Sequence, residues 1–542
     1  MATYLLITAA VIVLCIAFNR ISGKIGMPVI LAFILIGMFF GSDGVVKIPF
    51  DNYSFANDVC SVALIFIMFY GGFGTKWSIA KPIAAKAITL SSLGTVLTAA
   101  ILGVFCHFAL GITWLESFLI GSVICSTDAA SVFSILRSKR LNLKYNTASM
   151  LEIESGSNDP FSYMLTAIFI SLMRGENVGA WKTVYMVFAQ LAYGIILGFI
   201  IAFIAVYVLS KVKFAAGFDD IFIIAVAILS YAAPTIIGGN GYLSVYITGI
   251  ILGNTRIKNK QALVNFFDGA TNLMQMLLFF LLGLLAFPTK FGGVALPSLF
   301  IALFLTFVAR PIAVFAILTP FKSNIRQQLL ISFAGMRGAA SIVFAIMAIT
   351  NLQTQNDIFN MVFFIVMFSI LFQGSLMPFV SKKLKMTDDE SDVMKTFTDY
   401  IDEVPVQFIQ FTITSAHPWI DTPINQITLP PDSILVLLMR NGRKIVPNGK
   451  TVLRENDTLI LSGVGAGRID GVNLYEKEIK DGDEWHDKQL SSIPHSAELI
   501  IMVRRDEKVI IPRGSTILRS GDVIVINAPN DCFKIETKKR TG

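Results

Sequence analysis

Residues 1–382 are a succession of apolar runs long enough to span a bilayer, joined by short polar loops, and the rest of the chain follows another pattern. The runs lie near 3–18, 27–41, 55–72, 83–107, 115–136, 146–172, 183–210, 219–237, 242–254, 263–287, 293–319, 327–350 and 356–380. A spanning helix needs about 20 residues, so the pattern predicts a polytopic, mostly α-helical membrane domain of about thirteen spans. The ninth run is short and follows Gly238-Gly239-Asn240-Gly241. The first has no basic stretch before it and no clear cleavage site, so it reads as a retained helix.

After the last run, Met386-Thr387-Asp388-Asp389-Glu390-Ser391-Asp392 is a polar, acidic stretch. Beyond it come short β-rich clusters such as Ile434–Leu438 and Thr458–Leu461, bounded by turn residues. Segment 433–463 aligns without a gap to 498–528, at an offset of 65. Arg440, Ile445, Pro447, Leu453, Arg454 and Asp457 match Arg505, Ile510, Pro512, Leu518, Arg519 and Asp522. The repeat predicts two small α+β modules in tandem. The division expected is a membrane domain over 1–382, a linker over 383–404, and modules over 405–470 and 471–542.

Charge orients these elements. Alternate loops carry Arg20 and Lys24; Lys76, Lys81 and Lys86; Arg137, Lys139, Arg140 and Lys144; Lys211 and Lys213; Arg256, Lys258 and Lys260; Lys322 and Arg326. The other loops carry only Lys47, Arg174, Lys182 and Lys290. The positive-inside bias puts the richer set in the cytoplasm. The N-terminus is then outside, the tail is cytoplasmic, and the chain is a multi-pass protein of the cell membrane in contact with lipid. Over its 542 residues the chain is 54% hydrophobic and 15% charged, with a mean hydropathy of +0.68. A net charge of +7 follows from the loop bias and calls for no nucleic-acid partner. The five cysteines form no CxxC pair and the four histidines are scattered. Neither a disulfide framework, a zinc site nor a resident cofactor is expected.

Carboxylates inside the apolar runs carry the candidate chemistry. A charge at the bilayer centre costs roughly 2.5–3.5 kcal/mol on insertion scales, and such residues persist where they face a cavity, pair or bind ions. The sixth run holds Leu151-Glu152-Ile153-Glu154-Ser155-Gly156-Ser157-Asn158-Asp159-Pro160. Helical spacing puts Ser155 and Asp159 on one face and Glu154 and Asn158 on the next. Pro160 cannot donate its backbone bond and loosens the helix there. The fifth run adds Ser126-Thr127-Asp128. Hydroxyl, amide and carboxylate oxygens on two helices suit a hard monovalent cation, so Asp159, Asn158, Ser155, Asp128 and Thr127 are the expected cation- and proton-binding set, with the ion at Asp159. Arg337, in Gly335-Met336-Arg337-Gly338, needs a counter-charge; Glu154 is the expected partner in a structural ion pair. Asp268 is expected to serve as a gate or an interface group. Arg310-Pro311 reads as a structural kink. In the tail, Arg440, Arg454, Arg505 and Arg519 are candidates for holding an anionic regulator.

These motifs resemble the cation:proton antiporter superfamily, in the NhaP-like branch with an Asn-Asp pair. The resemblance runs over about 1–380, through Tyr70-Gly71-Gly72, Ser126-Thr127-Asp128, Glu154-Ser155-x-x-Asn158-Asp159, Gly249–Asn254 and Gly335–Ser341. Ile48–Tyr53 and Leu151–Pro160 look most like its bacterial potassium/proton members. The resemblance implies an inverted-repeat fold with broken helices crossing near the ion site, an elevator-like transport domain and a homodimer. The tail, about 405–542, is similar to TrkA-C (RCK C-terminal) modules. No Gly-x-Gly-x-x-Gly fold precedes them, so the nicotinamide-binding half is missing; the likeness implies cyclic di-AMP as a nucleotide effector.

The expected function is therefore secondary active antiport, not enzymatic catalysis. One monovalent cation, K⁺ before Na⁺, exchanges for H⁺, and the tail regulates it. Asn158 leaves a single exchanging carboxylate, which favours electroneutral one-for-one exchange. A Na⁺/H⁺ antiporter is the near alternative. A ligand-gated potassium channel would need a filter of Thr-Val-Gly-Tyr-Gly type, which the chain lacks; a receptor or scaffold has no use for buried acids.

Overall fold

In a computed structural model the chain divides into two compact units, residues 1–403 and 404–542. The structure describes residues 9–18, 29–139, 141–175, 179–212, 218–255, 260–387, 406–415, 417–430, 433–440, 443–464, 474–479, 481–492, 499–505, 508–510, 512 and 514–527.

The first unit is helical. Its elements are α1 (Ala9–Phe18), α2 (Val29–Phe40), α3 (Tyr53–Gly74), α4 (Trp77–Thr89), α5 (Thr95–Leu110), α6 (Trp114–Ile124), α7 (Ala129–Ser138), α8 (Thr147–Met173), α9 (Ala180–Lys211) and α10 (Phe218–Ile236). They continue with α11 (Gly241–Gly253), α12 (Lys260–Leu284), α13 (Phe291–Phe304), α14 (Arg310–Leu318), α15 (Ile325–Phe333), α16 (Ala339–Asn351), α17 (Ile358–Phe368) and α18 (Gly374–Lys383). Single π turns at Leu90–Gly94, Leu305–Ala309 and Ser369–Gln373 join α4 to α5, α13 to α14 and α17 to α18. Among the described residues, seven stretches are long and apolar enough to cross a membrane. α8 is 27 residues long; its three acids keep it from reading as purely apolar.

Two of the apolar runs are not continuous helices. The fifth is interrupted at residues 125–128, between α6 and α7, and the twelfth at 335–338, between α15 and α16. The two extended stretches meet, and the Asp128 N–H donates to the Met336 carbonyl at 2.8 Å. Each broken helix contributes one half to each of two hydrophobic cores. α6 and α16 belong to the core that also includes α2, α3, α11 and α12. α7 and α15 pack with α4, α14, α18 and the start of α8. The break is therefore a boundary between packing units, and α8 spans it.

The second unit contains two four-stranded antiparallel sheets. The first, of β1 (Val406–Thr412), β2 (Ser433–Arg440), β3 (Arg443–Ile445) and β4 (Thr458–Val464), has the order β1-β4-β2-β3. The second, of β5 (Leu474–Glu478), β6 (Leu499–Arg505), β7 (Lys508–Ile510) and β8 (Val523–Asn527), has the order β5-β8-β6-β7. Even the irregularities repeat: the β2–β4 register shifts between Leu435 and Leu437, and the β6–β8 register between Ile500 and Met502. Leu438, Leu453 and Leu459 fill one core, and Val503, Leu518 and Ile524 fill the other at the matching positions. The helices expected of an α+β module do not occur among the described residues of the tail, whose regular elements there are strands and short 3-10 turns.

Candidate functional site

The site is built where α8 passes the crossing. A helix break strands carbonyls on one side and N–H groups on the other, and side chains must satisfy them. Arg337 does so for α6: its guanidinium donates to the carbonyls of Cys125 at 2.8 Å and Ser126 at 2.6 Å. A cation there also complements the negative end of the α6 dipole. Asp128 does so for α7: its carboxylate accepts from the Ser131 hydroxyl and from the Ser131 N–H, as a helix N-cap does. A side chain on Gly338, at the start of α16, would collide with the Asp128 carboxylate. Both glycines of Gly335-Met336-Arg337-Gly338 clear space for charged chains, Gly335 for Arg310 and Gly338 for Asp128.

Around this crossing α8 presents its polar residues. Asp159 accepts a hydrogen bond from the Ser126 hydroxyl on the unwound stretch. Ser155 donates to the Thr127 carbonyl at 2.8 Å, and the Asn158 amide donates to the Thr127 hydroxyl at 2.6 Å. Ser162 donates to the Ser122 carbonyl at 2.6 Å. Asn158 is fully buried, and its Oδ1 has no hydrogen-bond partner among the described residues. Asp159 and Ser155 are only half-buried, as is Glu152 two turns before Asp159 on the same face. Half-buried positions recur along α8, and at the crossing they include Asp159, Ser155 and Glu152. Asp159, Asn158, Ser155 and Thr127 are thus brought together as the sequence leads one to expect. Asp128 lies beside them, committed to its cap. Ser126, quoted in the motif but left out of the expected ligands, makes the direct contact with Asp159.

One expectation is corrected. Glu154 does not pair with Arg337. It forms an ion pair with Arg310, and both side chains are 1% exposed. The reason is local. Arg310 opens α14 directly after a π turn and reaches α8 through the space that Gly335 leaves. Arg337 lies in the unwound peptide itself, where the stranded carbonyls of Cys125 and Ser126 claim it. Its own N–H donates to the Ser369 hydroxyl at 3.0 Å. Arg310, within an apolar run, needs a partner whether or not a proline follows it, and a buried guanidinium takes either a carboxylate, as Arg310 does, or backbone carbonyls, as Arg337 does.

Asp268 is exposed on α12, and accepts from the Tyr70 hydroxyl and the Asn272 amide, each at 3.3 Å. No group of the crossing bonds to it among the described residues. In the tail, Arg440 forms a bidentate pair with buried Asp457, at 2.8 and 2.7 Å, and also donates to the Val452 carbonyl. Arg505 repeats this with Asp522, at 2.7 and 2.6 Å, and with the Ile517 carbonyl. These two guanidinium groups are internal ties, which corrects their assignment to an external anion. Arg454 and Arg519 donate only their backbone N–H to the same aspartates, each at 2.8 Å, and their side chains are exposed. Burial pushes the Asp457 and Asp522 carboxyls up. The arginine pair and the backbone N–H outweigh it and hold both below the ordinary carboxylate range.

Comparison with known proteins agrees with this geometry. Residues 7–383 match the sodium/hydrogen exchanger transmembrane family, and residues 408–467 and 474–531 each match the TrkA-C domain. The K⁺/H⁺ antiporter NhaP of Alkalimonas amylolytica is 32% identical over 461 residues, covering 84% of this chain and 80% of that protein. NhaP2 of Shewanella oneidensis, also a K⁺/H⁺ antiporter, is 30% identical over 85% of this chain and 81% of its own. The sodium proton antiporter MjNhaP1 of Methanocaldococcus jannaschii superposes with a TM-score of 0.63 over 71% of this chain and 99% of its own, at 21% identity. The chain belongs to the sodium/hydrogen exchanger family, its membrane domain followed by two TrkA-C domains.

Proposed function

We propose that this protein exchanges K⁺ for H⁺ across the cell membrane, one for one, at Asp159. The observation that carries the reading is the contrast between two acids on α8. Glu154 is neutralised by Arg310 and fully buried. Asp159 is partly accessible and is held by the neutral Ser126 hydroxyl. A carboxylate with a fixed counter-ion has no reason to exchange, whereas one held by a hydroxyl binds a proton or a cation by turns. Asn158 Oδ1 and the hydroxyls of Ser126, Ser155 and Thr127 offer further oxygens to a hard cation. A single exchanging charge beside a permanently neutral Glu154–Arg310 pair supports electroneutral stoichiometry. Preference for K⁺ over Na⁺ rests on the two K⁺/H⁺ relatives. Na⁺/H⁺ exchange is the second reading, supported by the fold of MjNhaP1.

The same reading takes the chain as a homodimer with thirteen crossings, its N-terminus outside and its tail in the cytoplasm. Asp268 is a gate at most, since it stands apart from the crossing's hydrogen bonds. The tail binds a cytoplasmic anion such as cyclic di-AMP through Arg454 and Arg519, and so tunes exchange. The test is transport in proteoliposomes at clamped voltage. K⁺ pulses should move protons more effectively than Na⁺ pulses, and Asp159→Asn should abolish both in a protein that remains folded. Normal exchange by that variant would remove Asp159 from the mechanism.

A further inference from the structure

The chain leaves α18, the last α-helix among the described residues, by a route that returns it to α8. After α18, Lys385 takes a left-handed conformation, with φ at +56°. This turns the backbone so that the Met386 N–H donates back to the Ser381 carbonyl at 3.0 Å. Met386 is then 1% exposed, in the core that also holds Leu141, Leu143, Met150 and Leu151. Its carbonyl accepts from the Lys144 N–H at 2.9 Å, and Thr387 forms an antiparallel β-bridge with Leu143. Residues 141–146 are the connection between α7, which Asp128 caps, and α8, which carries Asp159.

That connection is itself under tension. Tyr145 and Asn146 both have left-handed backbones, with φ at +60° and +52°. Asparagine adopts this region far more readily than tyrosine. The turn is held by bonds on both sides. Thr147 donates its hydroxyl to the Lys144 carbonyl at 2.6 Å. Gln327, on α15, donates to the Tyr145 carbonyl and to the Thr147 hydroxyl, each at 3.1 Å. Parts of both broken helices, the start of the Asp159 helix and the first residues beyond α18 therefore meet at one turn.

We propose that Leu384–Thr387 is the strap through which the tail acts on the ion site, by bearing on the turn at 141–146 and so on α7 and α8. The proposal rests on the reading that the tail tunes exchange. A backbone bridge plus one buried methionine is a compact hold, and it lies on the covalent path from α18 to the modules. Whatever prefers one arrangement of the tail can then shift the membrane domain only as far as the strap distinguishes its conformations.

The bridge suggests its own test. Leu143 and Thr387 flank the Lys144–Met386 bond, so they are a non-hydrogen-bonded cross-strand pair, with Cα atoms about 4.5 Å apart in such a position, within disulfide range. In the full chain with Cys532→Ser and a protease site placed between 388 and 403, exchange is measured before and after cutting. Cutting is expected to change the rate about five-fold or more, the low end of ordinary coupling between sites. With Leu143→Cys and Thr387→Cys oxidised, cutting should change nothing, and reduction should restore the effect. Met386→Asp should move the uncut protein to the rate of the cut one, whereas Met386→Leu should not. An oxidised pair that still responds to cutting by the same factor overturns the strap and leaves tail regulation standing. An exchange rate indifferent to cutting in the unlinked protein overturns both, and leaves only antiport.

Discussion

The membrane domain and the tail both place aspartate near arginine, yet they treat it differently. In each tail module the aspartate is saturated: Asp457 takes two bonds from Arg440 and one from the Arg454 N–H, and Asp522 takes the same from Arg505 and Arg519. At the crossing of the broken helices, Arg337 bonds to backbone carbonyls and Arg310 to Glu154. Asp159 is left with a hydroxyl donor. A carboxylate satisfied by a fixed cation serves the fold. One held by neutral donors, at a partly open face, is available to a mobile cation or a proton.

The largest expected effect that could break this contrast is on stability. Glu154→Gln leaves Arg310 buried without its counter-charge, and should cost about 3–5 kcal/mol, read as a fall in the melting temperature of the purified protein together with loss of exchange. Arg310→Gln should do the same. The double variant should be more stable than the two losses added together, because neither charge is then stranded. Strict additivity would mean that the pair is not the relevant partner for either residue.

The tail offers the complementary case. Asp457→Asn breaks a bidentate pair whose arginine is 25% exposed. A smaller cost of about 2–4 kcal/mol is expected, confined to the first module and seen as increased proteolysis there. Antiport by the variant should be unchanged as long as its tail stays uncut. Loss of exchange in a variant with an intact membrane domain would show that the tail's ties are not merely structural.

Acidity sharpens the same point. Burial raises the Asp457 and Asp522 carboxyls, but their arginine and N–H partners leave them depressed overall. A depressed carboxyl contributes stability that is complete above its unfolded value, about pH 4, and is lost as pH falls through the folded value. Tail unfolding followed by Trp419 and Trp485 fluorescence should be flat from about pH 7 to 5 and should weaken only below about pH 4. The smallest effect is expected at Asp268. Asp268→Asn keeps the shape that Tyr70 and Asn272 contact, and should alter the exchange rate by less than about three-fold, within the range of a surface change.

The contrast between the regions also decides what could be read in the chain. Apolar run lengths marked the helices of the membrane domain, because a bilayer demands them. They could not mark the breaks at 125–128 and 335–338, because hydropathy sums over a window and four residues such as Cys125-Ser126-Thr127-Asp128 or Gly335-Met336-Arg337-Gly338 are averaged into their apolar flanks. Only the motif resemblance implied the breaks. Asn158, Asp159, Ser155 and Thr127 were legible because polar residues in an apolar helix need a reason. The partner of Glu154 was not, since two buried arginines competed for it and the choice depended on a π turn and on the room at Gly335. In the tail, Arg440 with Asp457 and Arg505 with Asp522 were visible as matched positions of the repeat. That they bond to one another required the β2–β4 and β6–β8 registers. Arg440 therefore read as a ligand-holder when it is a tie.

The central claim is that a proton and a K⁺ ion compete for Asp159, and initial exchange rates in proteoliposomes as a function of both concentrations test it most directly. Competition at a single carboxylate is expected to raise the apparent KM for K⁺ by up to about tenfold per pH unit on the acid side, with the maximal rate at saturating K⁺ unchanged. A KM that stays constant with pH while the maximal rate falls would contradict it, because the proton would then be acting somewhere other than the cation site.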